Sequence, residues 1–418
     1  MADTVLDIVS SPGAPSAGRR PIHVGIDATT WLNNRGFGRF TRELLKALAG
    51  RDTGFRYTLL FDQRPPDEAM PAGVKWIAAA TRGSLNEAST GKNARSLAYL
   101  WRLGRAARQA EFDLFFFPAV YSYYPVMAQM PCVICYHDTT AERFPQLLFP
   151  SALNHRLWQA KTFLAKMQTT RAMTVSQSSA TDLERILGFP KHRIDVVTEA
   201  ADPAFRVLND PERVRRARAR HRIPTTADLL IYVGGMNRHK NILGLLQAMP
   251  SVVAARPNAH LAIVGDTSGT GFWDNVPELH QFIERCPEIK PNVTFTNSIP
   301  DSELIELLNG AAALVFPSLW EGFGLPAVEA MACGVPVLAS DRGSLPEVVG
   351  EAGVLFDPEQ PASIADCIVR FLGDQGLRRR LAQSASVRAR LFTWERAAQL
   401  AEASFRRCVA AERQRVTA

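Results

Sequence analysis

Residues 313–341 read ALVFPSLWEGFGLPAVEAMACGVPVLASD, and few folds accept that order of residues. Ala313 to Phe316 is a short apolar run, the pattern of a strand buried on both faces. Pro317 to Leu325 is a loop with glycines at Gly322 and Gly324. Pro326 suits the first position of a helix, where an N–H is not needed. Ala327 to Cys333 continues that helix, and Gly334 is placed to end it in a left-handed cap. Val335 to Ala339 is the next strand. A strand–loop–helix–strand unit of this kind presents free backbone N–H groups at the helix start, where an anion is stabilised. The glycines allow backbone to approach a ligand closely. Two carboxylates flank the loop. Glu321 lies in it, and Glu329 lies about one turn inside the helix, where it can accept hydrogen bonds from two vicinal hydroxyls. The spacing of the two acids alone carries little; the whole string is far more specific.

That string, from Pro317 to Ser340, resembles the donor-site signature of the retaining family 4 glycosyltransferases. The resemblance implies an α/β GT-B fold: two Rossmann-like α/β domains facing each other across a cleft, with a C-terminal helix crossing back to the N-terminal domain. The expected division is a disordered tail over 1–20, an acceptor-binding domain over 21–205 joined by the helix from about 394 to 418, and a nucleotide-sugar-binding domain over 206–393. In the family the first Glu and the following backbone face the donor sugar, and the second Glu binds the ribose. Carried onto this chain, the donor-binding residues are Glu321, Gly322, Phe323, Gly324, Leu325 and Glu329.

The first half begins with a strand at His23 to Asp27. Gly36 and Gly38, with Arg39, read as a Gly-x-Gly turn before a helix from about Phe40 to Leu48. A dinucleotide fingerprint needs a third glycine three places after Gly38, and Thr41 stands there. The string does resemble the first loop of family 4 transferases, which implies that Gly36 and Gly38 approach the donor phosphates. Strands follow at Tyr57 to Phe61 and Val74 to Ala78. A basic helix over about Ala94 to Ala110 carries Arg95, Trp101, Arg102, Arg105 and Arg108. DLFFFP and VICYHD are buried strands ending in proline or polar residues, as at the carboxyl edge of a parallel sheet, where ligands bind. The stretch from Leu114 to Tyr136 is uncharged, but three prolines make it strand, loop, strand rather than a membrane helix. His137 and Asp138 resemble the family's His-Asp pair, which implies a His137 close to the donor sugar. A helix over about Ala152 to Met167 mixes leucines and aromatics with Arg156, Lys161 and Lys166. It reads as packed on the sheet, with an anionic membrane as the alternative surface. Ser176 or Ser178 is expected to cap the helix that follows. At Thr198 to Asp202, TEAAD stands where most members of the family have a Pro-Asn-Gly-Val-Asp-like turn. Asp202 matches; Glu199 and Ala200 depart.

The polar stretch Asp202 to Thr226 reads as a linker, and its arginine-rich run as a solvated helix face. Beyond it the pattern restarts. LLIYVGG ends in Gly234 and Gly235, followed by Arg238, His239 and Lys240 and a helix from Asn241. A glycine turn, cations and a helix start make an anion cradle. It resembles the family's diphosphate site, which implies that Gly235, Arg238 and Lys240 hold the donor diphosphate. After the strands at Leu261 to Asp266 and Val293 to Ile299, family resemblance places the nucleobase near Thr296 to Ile299. The chain after Asp357 reads as helical, ending in the helix from Trp394.

A chain of 418 residues needs more than one core. Its 46% apolar and 21% charged content is that of a soluble globular protein. Its net charge of +7 favours anionic partners. The six cysteines are scattered, and CVIC at Cys132 to Cys135 lies in an apolar strand without a second pair, so neither a disulfide framework nor a metal site is indicated. The first 20 residues lack the pattern of a signal peptide. The expectation is therefore a cytoplasmic enzyme, with attachment at the inner face of a membrane left open.

The resemblance implies a retaining hexosyltransferase. Its expected partners are a nucleotide diphosphate sugar, from GDP-mannose or a UDP-sugar, and a glycan, lipid-linked or small-molecule acceptor. Nucleic acid is not expected as a partner. The candidate catalytic residues are Glu321, His137, Lys240 and Arg238. No two aspartates stand two positions apart, so no metal and no further cofactor is expected. A GT-B epimerase or phosphorylase, a two-domain sugar-binding protein and a Rossmann oxidoreductase are the alternatives; the last lacks its third glycine.

Overall fold

A computed structural model of the chain describes residues 20–33, 36–65, 70–71, 73–79, 97–126, 128–267 and 275–417. The expected tail therefore lies outside the described residues except for Arg20, as do Ala94 and Arg95. Two parallel sheets form the scaffold. The first contains β1 (Ile22–Asp27), β2 (Phe55–Phe61), β3 (Lys75–Ala78), β4 (Leu114–Phe117), β5 (Cys132–Cys135), β6 (Thr169–Thr174) and β7 (Ile194–Val196), in the spatial order β3-β2-β1-β4-β5-β6-β7. The second contains β8 (Asp228–Val233), β9 (Ala259–Val264), β10 (Val293–Asn297), β11 (Ala313–Phe316), β12 (Val337–Ser340) and β13 (Gly353–Phe356), in the order β10-β9-β8-β11-β12-β13. β4, β5 and β11 are wholly buried, as their unbroken apolar runs require when helices cover both faces. In each sheet the strand order reverses once, between β1 and β4 and between β8 and β11. The crevice outside the carboxyl ends at such a reversal is the usual ligand site of an open α/β sheet.

Several boundaries differ from the sequence reading, each for a local reason. Gly36 and Gly38 do not form a turn before a helix; they lie in the first turn of the Gly36–Ala49 helix. A Cβ on Gly38 would sit 2.0 Å from the Asn33 carbonyl, so a side chain is excluded by the loop folded beneath. The Leu325–Ala332 helix starts one residue before Pro326, because Gly324 at φ +101° supplies the N-cap. Gly334, at φ +74°, ends it as expected. GVLF at β13 is a strand paired with β12, in a stretch whose half-exposed pattern carries no strand signal. The presumed linker holds a helix, Pro211–Arg220, packed on the Asp301–Asn309 helix. Its arginines are not simply solvated: Arg213 bonds Glu306 at 2.9 Å, and Arg218 is buried against the carbonyls of Thr225 and Ala227.

The last helix, Trp394–Thr417, returns to the first sheet and packs on the Gly36–Ala49 helix. Buried Asp195 at β7 fixes it: its carboxylate accepts from Ser404 at 2.7 Å, from Arg407 at 2.8 Å and from Arg171 at 2.6 Å. Glu402 on the same helix bonds Arg51 at 3.2 Å and Thr53 at 2.5 Å. Among the described residues no helix is long and apolar enough to cross a membrane.

Candidate functional site

The loop after β11 and the turn after β8 meet at an ion pair. Lys240 Nζ donates to Glu321 Oε1 at 2.7 Å and lies 3.0 Å from Oε2. Both side chains are largely shielded from water, so the pair is stronger than a surface one. The loop is held from behind by Ser344, whose hydroxyl lies 2.7 Å from the Phe323 carbonyl and 3.1 Å from that of Glu321. The Leu319 N–H donates to the His239 carbonyl at 2.8 Å and ties the loop to the turn carrying Lys240. Backbone at the start of the Leu325–Ala332 helix, glycine at 322 and 324, and one ammonium thus converge.

The other half of the molecule closes on this loop. Ser176 Oγ donates to the Gly322 carbonyl at 2.6 Å, and Ser179 Oγ lies 3.1 Å from it and 3.0 Å from the His137 carbonyl. A Cβ on Gly322 would stand 2.2 Å from the His137 oxygen, so only glycine permits this approach. Glu347 accepts from the N–H groups of Gln177 (3.0 Å) and Ser178 (3.1 Å), at the start of the Gln177–Arg185 helix. An anion there meets the positive end of the helix dipole. Ser176 caps that helix, accepting from Ser179 N–H at 3.0 Å. The Arg143 guanidinium lies 3.8 Å over the Trp320 ring.

Arg39 makes the longest reach across the cleft. From the first turn of the Gly36–Ala49 helix it bonds Glu329 through Nη1 and Asp301 through Nη2, the latter at 2.6 and 2.8 Å. Glu329 is 3% exposed. Burial pushes its carboxyl up to about 7, with Arg39 pulling the other way. Burial opposes the charge on Arg39, but Glu329 and then Asp301 outweigh it and raise its pKa. In the same cleft, burial and the Lys240 ammonium hold His239 down to about 4, so its imidazole is neutral.

His137 is buried beyond β5, with its ring edge-on to Phe40 at 4.8 Å. Its Nε2 lies 2.9 Å from the Pro118 carbonyl, which can only accept, so Nε2 carries a proton. Its Nδ1 lies 3.1 Å from Glu199 Oε1. Burial works against a charge on the ring; the Cys135 sulfur and the Glu199 carboxylate outweigh it and hold the imidazole well above its ordinary value. Both ring nitrogens are engaged by protein oxygens. What faces Gly322 is the backbone carbonyl of His137.

The structure thus sets Lys240 on Glu321, beside the backbone of Gly322 and of Gly324 and Leu325 at the helix start, while Glu329 faces Arg39 and the Phe323 ring is buried against Phe392. Arg238 is elsewhere: it lies 3.0 Å from Glu278 and is mostly exposed. Gly235 sits in the turn after β8, its carbonyl accepting from Tyr232 Oη at 2.7 Å. Thr296 and Ile299 flank the end of β10, both half-buried, beside Asn297 in the left-handed region at φ +61°. Gly36 is exposed and Gly38 buried, and neither reaches the Lys240–Glu321 pair in the way that the next residue, Arg39, reaches Glu329. Sequence reasoning passed over Arg39 as a cross-cleft contact, and gave no place to Asp301 or Glu347. The only available signal was an arginine directly after a Gly-x-Gly string.

Two family models match the chain, one described as Glycosyltransferase Family 4 over residues 34–205 and one as Glycosyl transferases group 1 over residues 214–388. Among curated proteins, the O-antigen chain mannosyltransferase B of Escherichia coli is 34% identical over 223 residues, covering 53% of this chain and 57% of that protein. The chain thus spans little more than half the length of this curated relative. Among solved structures, the sucrose-phosphate synthase of Thermosynechococcus elongatus superposes with a TM-score of 0.73 at 22% identity, over 94% of this chain and 100% of the other. The Anabaena protein HepE, solved in complex with UDP and glucose, superposes with a TM-score of 0.70 at 19% identity, over 92% of this chain and 98% of the other. At those identities the likeness carries the fold. With both halves matched in chain order and two parallel sheets facing one cleft, the chain belongs to the family 4-type glycosyltransferases of the GT-B fold.

Proposed function

We propose that this protein transfers a hexose from a nucleoside diphosphate sugar to an acceptor hydroxyl, with retention of configuration and without a metal ion. The observation that carries the reading is the Lys240–Glu321 pair, set beside the glycine backbone that opens the Leu325–Ala332 helix. When the diphosphate leaves, negative charge develops where an ammonium and helix N–H groups already stand, with little reorganisation needed. This ammonium and these N–H groups do the work that a divalent ion does in other transferases, which supports metal independence. Glu321, held by Lys240 through both oxygens, is suited to orient sugar hydroxyls rather than to attack carbon. Glu329 then receives the ribose hydroxyls, and His137 contributes its backbone carbonyl and a fixed cleft wall. Proton removal from the acceptor falls to a donor phosphate oxygen.

The name of the E. coli relative favours mannose as the sugar, and the ligand of the Anabaena neighbour keeps UDP-sugars in view. The acceptor is a glycan, a lipid-linked sugar or a small molecule. The work is done in the cytoplasm, with attachment to the inner face of an anionic membrane as part of the reading.

The test is thermal unfolding with GDP, UDP, ADP and dTDP, on the wild type and on Glu329→Ala and Lys240→Ala. A ligand at 100 times its Kd stabilises by about 2.7 kcal/mol, a readable shift of several degrees. One diphosphate should stabilise the wild type and lose most of its effect in both variants. Its sugar conjugate should then release free diphosphate only with acceptor present, and in the presence of EDTA. Stabilisation by none of the four would overturn the reading.

A further inference from the structure

The Ala152–Gln168 helix is apolar on its outer side. Leu153, Leu157, Leu164 and Met167 recur at helical spacing along one line, with Phe163 beside them. Leu157 and Phe163 are each 62% exposed and Met167 is 71% exposed. Its inner side packs on the sheet through Thr162 and Ala165, the latter in the cluster that also holds Phe115, Phe117 and Ile134. An apolar stripe of this kind is normally the covered side of a helix, and here it faces outward. Single exposed leucines need no explanation, but five large apolar side chains on one helix do.

The surrounding charge says what covers it. The helix carries Arg156, Lys161 and Lys166 and no acid. The Leu97–Gln109 helix packs into the same apolar cluster on the same face of the sheet, through Leu103, Ala106 and Ala107. Its outer side presents Arg102, Arg105 and Arg108, with Trp101 half exposed and stacked under Arg105, and again no acid. Two copies of this chain meeting through this face would set these bases against one another without an opposing acid on either helix. An anionic bilayer supplies what the face lacks: phosphate for the arginines and acyl chain for the leucines. A tryptophan at the rim of such a face suits the headgroup level.

We propose that the Ala152–Gln168 and Leu97–Gln109 helices together form a docking face for an anionic lipid bilayer, lying on the side of the first sheet away from the C-terminal helix. The proposal deepens the reading of a membrane-attached transferase by naming the surface that attaches. The apolar line of the first helix enters the headgroup–acyl boundary, and the arginines of the second bind phosphate above it.

Sedimentation of the full chain with phosphatidylcholine vesicles, with and without phosphatidylglycerol, tests it. The wild type should pellet with the anionic vesicles and stay in solution with the neutral ones. Leu157→Glu/Leu164→Glu should abolish pelleting, and Arg102→Gln/Arg105→Gln should weaken it about 30-fold, at about 1 kcal/mol per base near the surface. All four side chains face solvent, so unchanged circular dichroism and an intact thermal response to nucleoside diphosphate show that the variants are folded. No pelleting by the wild type, or pelleting that both variants retain, overturns the proposal. A wild-type dimer dissociated by Leu157→Glu/Leu164→Glu, without lipid binding, also overturns it and gives the face to a second copy. Failure of the nucleotide response with vesicle binding intact would count against the transferase reading alone.

Discussion

Arg39 and Glu329 lie 290 positions apart and face each other across the cleft, one on the first helix of the N-terminal domain and the other on the helix after β11. Asp301 shares the same guanidinium from a third helix. This pairing makes domain closure and the state of a buried carboxylate one event. Removing the arginine by Arg39→Ala strips a buried acid of its cation, a change that typically costs about 3–5 kcal/mol when both partners are dry. Arg39 keeps some exposure, so the lower end applies. The loss should depend on pH. Near pH 8 Glu329 is charged in the wild type and the arginine matters most; near pH 5.5 the carboxyl is protonated and the cost shrinks. Thermal midpoints of both proteins at the two pH values check this. An equal loss at both would mean that Arg39 stabilises through packing instead.

The raised Glu329 carboxyl also sets the wild type's own pH dependence. In the fold it takes up a proton up to about pH 7, while in the unfolded chain it does so only near its ordinary 4.5. The folded state therefore holds more protons between those values, and stability falls as pH rises from about 4.5 to 7, by on the order of 3 kcal/mol. Glu329→Gln, which does not ionise, should flatten that part of the curve. Ribose hydroxyls are better received by the ionised form, so nucleoside diphosphate should bind more tightly as pH rises through about 7. Calorimetric titration from about pH 6 to 8 would show it, and a flat profile would separate Glu329 from the ribose.

Gly322→Ala tests closure directly. The added methyl would collide with the His137 carbonyl, 2.2 Å away, and backbone on both sides leaves little room to yield. The second domain itself loses nothing, so diphosphate binding should stay near wild type, while the midpoint should fall as far as opening parts Arg39 from Glu329. Turnover should fall about 100-fold or more, because misplacement of the reacting groups by an ångström costs that much. Small-angle scattering should report a larger radius of gyration with ligand bound than for the wild type. Normal turnover would show that the cleft works without this contact.

The parts of the site legible in the sequence are those built from neighbours in the chain. The loop around Glu321 announces itself through two glycines, a proline and the helix cap at Gly334, each a local conformational requirement. Lys240 was legible for the same reason, as a cation one step from a helix start. Arg238, two residues earlier, turns to Glu278 instead, because on a single helical turn two long side chains diverge. Arg39 was hidden, since its partners come from the far end of the chain and no local pattern encodes their distance. β13 escaped because four residues after a helix, with a half-exposed pattern, look the same as loop. Arg218 looked solvated because its run is so basic, yet backbone carbonyls satisfy it in the interior.

His137 gives the last test, because its geometry and its family likeness point to different atoms. With Nε2 donating to Pro118 and Nδ1 paired with Glu199, the ring is a clamp between two loops rather than a free acid or base. Its pKa stands well above the ordinary value, raised by the Cys135 sulfur first and then by Glu199 against the cost of burial. The charged form is the stabilised one, so this contribution is complete below about pH 6.5 and persists until pH passes the raised folded value. Proton NMR of the ring should place its titration above the ordinary value of about 6.5. Glu199→Gln should move the titration down, with the Cys135 sulfur left as the remaining group that raises it, and should lower the thermal midpoint. Because Gln can still meet the ring nitrogen, the cleft wall should survive and turnover should fall less than in Lys240→Ala. If instead Glu199→Gln abolishes turnover while leaving the midpoint untouched, the imidazolium itself acts on the substrate, and the carbonyl of His137 is not its working group.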